Sequence, residues 1–390
     1  MTLTIRTRRA RCGWAATRSR GCTRAIALWV WLGVACHHAL VPVTAPTPAP
    51  TGASAPELVP RNRCGRDFEA LRRIIEHGYA GWHDKHERLG TVHIDGATAH
   101  VIARAAAIGD EDVVACTAAL RPWLAMFDDD DLALFELGER PVHGDDAAVG
   151  PDAVQFVPIS ARTVVLRVPS FEDPAPIAAM VEAHRLEIRR AERLVLDLRG
   201  NAGGSAAAWA PLMAFAQSLP YTVVGFDVRV SEDNAAAWAR AAEELHADAA
   251  DGAARLRAVA MRMRRASGPW LELTPDRVET REVVRLPRYV DIVHDGACAR
   301  ACEQFVLEAS ASDKVTTFGS HTAGVLDYAD VRAATLPSGV RVLTWPTSRS
   351  RRLPSAPVDG VGLLPEVAIE PAALRSLDAD GLARRVAAPR

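Results

Sequence analysis

The chain has 390 residues, with 49% apolar content, 24% charged side chains and a formal net charge of −2; that composition excludes a disordered, collagen-like or low-complexity polymer and leaves room for about two domains with real cores. Only Lys85 and Lys314 are lysines, so 46 − 2 = 44 of the basic residues are arginine. Any chemistry that needs a lysine base has two candidates.

The near-neutral charge conceals an asymmetry at the start. Arg6, Arg8, Arg9, Arg11, Arg18, Arg20 and Arg24 precede an uncharged run from Ala25 to Ala35, and no acid precedes them. A positive segment followed by an apolar stretch too short to span a bilayer predicts an export signal within residues 1–36. Removing those seven charges takes the formal total to −2 − 7 = −9. A body that acidic is a poor partner for nucleic acid. Cys36 follows Gly33-Val34-Ala35, which suggests a lipidated first residue, although Gly33 stands where such signals usually carry Leu. The expected location is therefore the bacterial cell envelope, as a periplasmic or outer-membrane lipoprotein, or the exterior, with membrane contact only through a lipid at Cys36. Residues 37–62 carry six prolines among Thr, Ala and Ser and predict an extended tether.

Four cysteines remain beyond the tether: Cys64, Cys116, Cys298 and Cys302. In an oxidising compartment they are disulfide candidates, with the connectivity open: Cys298 and Cys302 pair with each other, or each with Cys64 or Cys116. No His or Cys pair at ligand spacing flanks Cys298 and Cys302, so no metal and no cofactor is expected.

Residues 63–150 read as a helical unit followed by an acidic loop. Phe68, Leu71, Ile74 and Ile75 share one helical face, a second apolar series runs through Ile102, Ala105, Val113 and Leu120, and Asp128 to Asp131 predict a solvated turn. From 151 to 375 strands alternate with helices. The expected strands are 154–158, 163–168, 194–198, 221–230, 283–286, 290–293 and 315–318; the expected helices are 174–191, 206–219 and 302–311. A helical insertion covers 232–266, a hairpin turn falls at Leu336-Pro-Ser-Gly339, and a closing segment runs over 358–369. Alternation of this kind predicts an α/β fold with a largely parallel sheet.

Two strand-to-helix turns carry the chemistry. In the first, Leu194-Val-Leu-Asp-Leu-Arg-Gly-Asn-Ala-Gly-Gly-Ser205, the glycines Gly203 and Gly204 let backbone N–H groups face a ligand's carbonyl oxygen or an anion. It lacks the Gly-Lys-Ser/Thr of a phosphate loop and the spacing of a dinucleotide site. In the second, Tyr289 to Phe305, a strand turns through Gly296 into a helix, and a residue at that helix start stands exposed above the sheet edge, where a nucleophile can work.

Together these turns resemble those of the tail-specific, or C-terminal processing, serine peptidases and their tricorn-like relatives. The family's strand motif is similar to Asp197-Leu-Arg-Gly-Asn-Ala-Gly-Gly204, and its Ser-Ala-Ser/Ala-Glu nucleophile turn to Arg300-Ala301-Cys302-Glu303. Its Gly-Glu-x-Thr-x-Gly, Leu-Pro-x-Gly and Gly-x-Pro-Asp signatures resemble Gly319-Ser-His-Thr-Ala-Gly324, Leu336-Pro-Ser-Gly339 and Gly362-Leu-Leu-Pro-Glu366. Cys298 and Cys302, with Gln304-Phe305 and Thr322 to Tyr328, resemble a cysteine-bearing secreted subgroup. The resemblance spans Asp67 to Glu370 and implies a ClpP/crotonase-like β-α core, with no PDZ-like insert. It implies oxyanion or peptide-binding roles for Gly203, Gly204 and Ala301.

The same resemblance places an arginine, Arg300, where the nucleophilic serine belongs. Val325 stands at the lysine position of the Ser-Lys subtype, and Asp131 at the histidine position of the tricorn-like subtype. A guanidinium stays protonated and cannot attack a carbonyl. The expectation is an exported member of the family that has lost catalysis and holds a peptide or a protein C-terminus. One alternative is a hydrolase using a displaced nucleophile, Ser310 or Ser312, or a cysteine activated by His294 or His321. Another is a purely structural envelope lipoprotein, with the 232–266 insertion covering the glycine turns. For the Arg300 side chain itself, the expectation is an ion pair with Glu303 or Glu308, pointing away from the turns.

Overall fold

The computed structural model describes residues 61–138, 153–245, 249–280 and 282–387. The export segment, Cys36, nearly all of the tether and positions 139–152 of the acidic loop lie outside these residues.

Helices α1 (Arg63–Gly78), α2 (Trp82–Leu89), α3 (Thr91–Ala106) and α4 (Val113–Ala125) come first. Helix α1 starts where the Asn62 side chain accepts a hydrogen bond from the Gly65 N–H at 2.8 Å, an N-cap that satisfies one of the helix's free donors. Its expected apolar face, Phe68, Leu71, Ile74 and Ile75, is buried against Cys116, Leu120 and Trp123 of α4 and against Leu343 and Trp345 from late in the chain. The Cys64–Cys116 disulfide joins α1 to α4. A fully buried ion pair, Arg341 to Asp67 at 2.6 Å, ties α1 to the strand that carries Leu343. Arg341 also donates to Thr117 Oγ1 and the Val113 carbonyl, so its charge is buried with its hydrogen bonds satisfied.

The sheet beneath the site has six strands. They are β2 (Gln155–Ser160), β3 (Thr163–Arg167), β4 (Arg193–Asp197), β9 (Tyr289–His294), β10 (Val315–Gly319) and β13 (Val367–Ala368), in the order β13-β10-β9-β4-β3-β2. All neighbours are parallel except β2 with β3, as alternating strands and helices predict. Residues on one sheet face, Val164, Leu166, Leu194, Leu196, Val290 and Ile292, share a core with α5 (Pro174–Ala183), α6 (Arg185–Arg190), α7 (Ala206–Ala216) and α10 (Ala301–Ala309). Val165, Val195 and Val293, on the other face, meet α11 (Pro371–Ser376) and α12 (Ala379–Ala387). This inside-outside alternation is the two-residue period of a strand covered on both faces.

A second, antiparallel sheet was not expected. It runs β1 (Ala133–Glu136), β12 (Arg341–Ser350), β6 (Phe226–Arg229) and β7 (Trp270–Thr274), with β11 (Tyr328–Thr335) also paired to β12. The stretch 221–230 is not one strand but two: β5 (Tyr221–Val223) pairs with β8 (Arg277–Glu279), while β6 belongs to the second sheet. The break falls at Gly225, where a Cβ would stand 2.0 Å from the Thr274 carbonyl oxygen; only glycine allows the two backbones to come that close. Residues 283–286 form no strand. Val283 is exposed, and Pro287, just beyond, has no N–H for a ladder. The expected helix over 174–191 is broken at His184 into α5 and α6. Within the insertion, α8 (Glu232–Glu244) and α9 (Ala250–Arg265) form a helical pair whose Ala235, Trp238, Ala260 and Met263 pack on β6 and β7.

Candidate functional site

The two turns meet backbone to backbone at the carboxyl ends of β4 and β9. Leu198 N–H donates to the Val293 carbonyl at 2.8 Å and Ala299 N–H to the Asn201 carbonyl at 3.2 Å. Asp295 accepts from Gly200 N–H and from Ala297 N–H, each at 3.1 Å, so one carboxylate fixes both turns. Gly203 has φ +107°, and a Cβ there would lie 2.8 Å from the Ala299 carbonyl and 3.2 Å from Arg300 Cβ. At Gly204, with φ +136°, a Cβ would lie 2.0 Å from the Phe171 carbonyl carbon. Both positions thus need glycine for conformation and for space.

Arg300 is the N-cap of α10, with φ +52° and ψ −111°. A left-handed φ at a non-glycine residue costs on the order of 1–2 kcal/mol and must be held by its surroundings. Glu303 supplies part of that hold. It is fully buried and accepts four hydrogen bonds: Arg300 N–H at 3.1 Å, Thr322 Oγ1–H at 2.6 Å, Gly324 N–H at 2.7 Å and Val325 N–H at 3.0 Å. The Cys298–Cys302 disulfide closes the turn around Arg300. Thr322 Oγ1 in turn accepts from Leu363 N–H, and a Cβ on Gly362 would strike the Thr322 carbonyl at 2.4 Å. The late Gly-Leu-Leu-Pro-Glu signature therefore acts as a brace for the 319–324 signature.

The Arg300 side chain does not pair with Glu303 or Glu308. Its Nη2 donates to Asp131 Oδ1 at 2.7 Å, with the guanidinium 35% and the carboxylate 10% exposed. The two residues at the expected nucleophile and base positions are 169 positions apart in sequence and form one ion pair. Asp131 reaches the turn from the link between α4 and β1, where its carbonyl accepts from Thr344 Oγ1 at 3.1 Å. The expected solvated acidic turn is solvated only at Asp128 and Asp130. Asp131 is buried, and Asp129 accepts from the Tyr79 hydroxyl at 2.6 Å; burial raises the Asp129 carboxyl above the ordinary range, and burial beside Asp129 raises the Tyr79 hydroxyl.

Arg300, Asp131 and Val325, together with Ala301, line one cavity of about 360 Å³. Its other walls come from Ala206 and Trp209 of α7, from Val223, Val224 and Phe226, and from Leu326 and residues 328–331. No described residue of the 232–266 insertion lines it. Of the three expected N–H donors, Gly203 donates to the Asn201 side chain at 3.0 Å and faces its own loop, which corrects its expected role toward a ligand. Gly204 and Ala301 N–H meet no acceptor among the described residues.

The other candidate nucleophiles are occupied. Cys298 and Cys302 are bonded to each other, so neither supplies a thiolate. Ser310 Oγ donates to the Val306 carbonyl and Ser312 Oγ to Ser218 Oγ; neither touches a histidine. His294 lies buried at the end of β9, and burial lowers its ring to about 4, so it is neutral at ordinary pH. His321 Nδ1 lies 2.9 Å from the Thr322 carbonyl. Among the described residues no group of three or more His, Cys, Asp or Glu forms a metal site. Sequence reasoning missed the face of α10 below Arg300, where Gln304 and Glu308 also line the cavity. The signal was present in the four-residue spacing 300, 304, 308.

The comparisons with known proteins follow the same lines. No curated protein matches the chain in sequence. Among solved structures, mature CPAF superposes with a TM-score of 0.57 at 10% identity, over 83% of this chain and 96% of that one. A putative peptidase from Parabacteroides merdae ATCC 43184 gives 0.51 at 14% identity, over 79% and 90%. At such identities the likeness is one of fold. The model of Peptidase family S41 matches residues 162–357, a span that runs from β3 through both turns, α10 and the 319–324 signature. By that match the chain belongs to peptidase family S41.

Proposed function

We propose that the chain is an exported member of family S41 that no longer cleaves peptides and that holds the C-terminal end of a peptide or protein in the cleft beside Arg300. The observation that carries this is the Arg300–Asp131 ion pair in the lining of the cavity. A guanidinium is not a nucleophile and an ionised carboxylate that it neutralises is a poor base. What remains is a fixed positive charge beside the Ala301 and Gly204 N–H groups. In an acyl-transfer site such donors face a developing oxyanion; here a terminal carboxylate is the anion that fits. Arg300 has five N–H donors and needs one for Asp131, which leaves others for a ligand.

Export through residues 1–36, with a lipid on Cys36 as the anchor, completes the proposal. The arginine-rich start, the proline-rich tether and the two disulfides agree with an oxidising envelope compartment. No helix among the described residues is long and apolar enough to cross a membrane.

Calorimetric titration with peptides that differ only in a free or amidated C-terminus tests the reading. The free acid should bind at least tenfold more tightly, and equal affinities would sink it. A fluorophosphonate probe should leave the protein unlabelled. Labelling at a serine would favour the displaced-nucleophile alternative, to which Ser310 and Ser312 lend no support in their present hydrogen bonds.

A further inference from the structure

The α10 face that lines the cavity carries charge at both ends, Arg300 at the helix start and Glu308 two turns on. Arg300, Ala301, Gln304 and Glu308 lie along one face of α10 and all line it. With a helical rise of about 1.5 Å per residue, Gln304 stands about 6 Å and Glu308 about 12 Å below Arg300. Side chains on a helix lean toward its N-terminus, and Glu308 does so, accepting from Gln304 Nε2 at 2.5 Å.

The charges around this cavity do not cancel locally. Arg300 is paired with Asp131 and Arg277 with Glu279 at 2.7 Å. Asp330 accepts from Ser348 Oγ at 2.7 Å and has Arg332 at 3.7 Å. Glu308 is buried and has no cation within ion-pair distance among the described residues. A buried carboxylate without a cation is costly unless something completes it. Two further polar atoms of the lining are buried and unpartnered: the acceptor Gln304 Oε1 and the donor Trp209 Nε1. The apolar part of the lining is chiefly Trp209, Val223, Phe226 and Leu326.

We propose that this cavity selects a C-terminal lysine, whose carboxylate meets Arg300 and the Ala301 N–H, whose aliphatic stem lies on the apolar walls, and whose ammonium sits between Gln304 Oε1 and Glu308. The proposal rests on the reading of the cleft as a peptide site and adds the side chain it takes. Lysine fits each part: a long apolar stem and a terminal cation that brings donors to two acceptors. A terminal acid would meet Glu308 with like charge, and a terminal norleucine would leave Gln304 Oε1 unpartnered and Glu308 without a cation.

The experiment uses the full chain and three acetylated hexapeptides identical except for a last residue of lysine, norleucine or glutamate, each with a free carboxylate, titrated by calorimetry. The lysine peptide should bind at least tenfold more tightly than the norleucine peptide, with the glutamate peptide weakest. Glu308→Gln, which keeps the size of the side chain, should bring the lysine and norleucine peptides to within twofold of each other while the norleucine affinity holds. Norleucine binding as well as lysine in the wild-type protein overturns the proposal and leaves the cleft reading standing, as does a lysine preference that survives Glu308→Gln. Failure of all three peptides to bind overturns both.

Discussion

Glu303 and Asp131 are two carboxylates on either side of Arg300, and they lie in contrasting surroundings. Glu303 is sealed in the protein and takes four hydrogen bonds, three of them from backbone N–H groups and one from a hydroxyl. Asp131 reaches the cleft and takes one charged partner, which is itself about a third exposed. The first holds the helix start, the 322–325 turn and the strained Arg300 backbone in place. The second occupies a position where family resemblance implies a base, and it neutralises an arginine where the resemblance implies a nucleophile. The elbow of the fold and its reactive groups are thus separable. Removing a scaffold carboxylate such as Glu303 leaves its donors without an acceptor, while a group that faces the cleft can be replaced at less cost to the fold.

That contrast predicts a steep gradient of effects. Glu303→Ala strands four donors, two of them fully buried, and should lower the unfolding free energy by about 3–5 kcal/mol, read as a shift in the denaturant midpoint. Glu303→Gln keeps acceptor capacity on one oxygen and should lose roughly half as much. A loss below about 1 kcal/mol for Glu303→Ala would mean that the turn is held by other contacts.

The next effect is set by pH at the foot of the same turn. Native His294 takes a proton only near pH 4, whereas an unfolded histidine does so near 6.5. Between those values the unfolded chain holds more protons, so His294 costs stability as the pH falls from 6.5 to 4, by roughly 3 kcal/mol in all. Asp359 acts in the opposite sense: burial raises its carboxyl to about 7, so its contribution is full at low pH and is lost as the pH rises through 7. The two offset each other between pH 4 and 6.5 in the wild-type protein. Relative to wild type, His294→Leu should therefore gain about 3 kcal/mol when unfolding at pH 7 is compared with unfolding at pH 4. A difference that is flat with pH would show that the ring titrates normally in the native state.

Smaller effects belong to the cleft side of the comparison. Arg300→Gly removes the cost of the left-handed φ and forfeits a partly exposed ion pair worth about 0–1 kcal/mol. It should leave the protein as stable or up to about 1 kcal/mol more stable, while abolishing discrimination between free and amidated peptides. Marked destabilisation would mean that Arg300 is part of the scaffold after all. Asp131→Asn should change stability least, by about 1 kcal/mol or less, yet raise affinity for a free-carboxylate peptide several-fold, because the ligand then has no competing anion at Arg300. Unchanged or weakened binding would place the carboxylate elsewhere.

Much of the fold was legible before any coordinates. Five strands of the main sheet and the helices behind its two turns follow from local apolar pattern, since β4 is a nearly continuous apolar run, β9 is apolar from Val290 to Val293 but for Asp291, both lead into glycine turns, and α1 carries its core on one helical face. The second sheet was not legible. The β11–β12 hairpin was legible only as the turn at Leu336–Gly339; β6 and β7 are largely half-buried or exposed, and β1, β6 and β7 find partners in this sheet tens to hundreds of residues away, so those pairings leave little local trace. Gly225 shows the difficulty on a small scale, because the approach of the Thr274 carbonyl, and not local sequence, splits 221–230 into strands of different sheets.

The site divides in the same way. Sequence by itself determined which residues stand at the helix start, that an arginine is among them, and that no lysine occupies the corresponding position, because these are matters of residue type and spacing. Only the tertiary structure decided that Arg300 turns to Asp131 and away from Glu303 and Glu308, that Cys298 and Cys302 pair with each other, and that Glu308 lines the cavity with no cation within ion-pair distance among the described residues. The reason is physical: charge pairing and burial depend on distances across the fold, which chain order does not encode position by position.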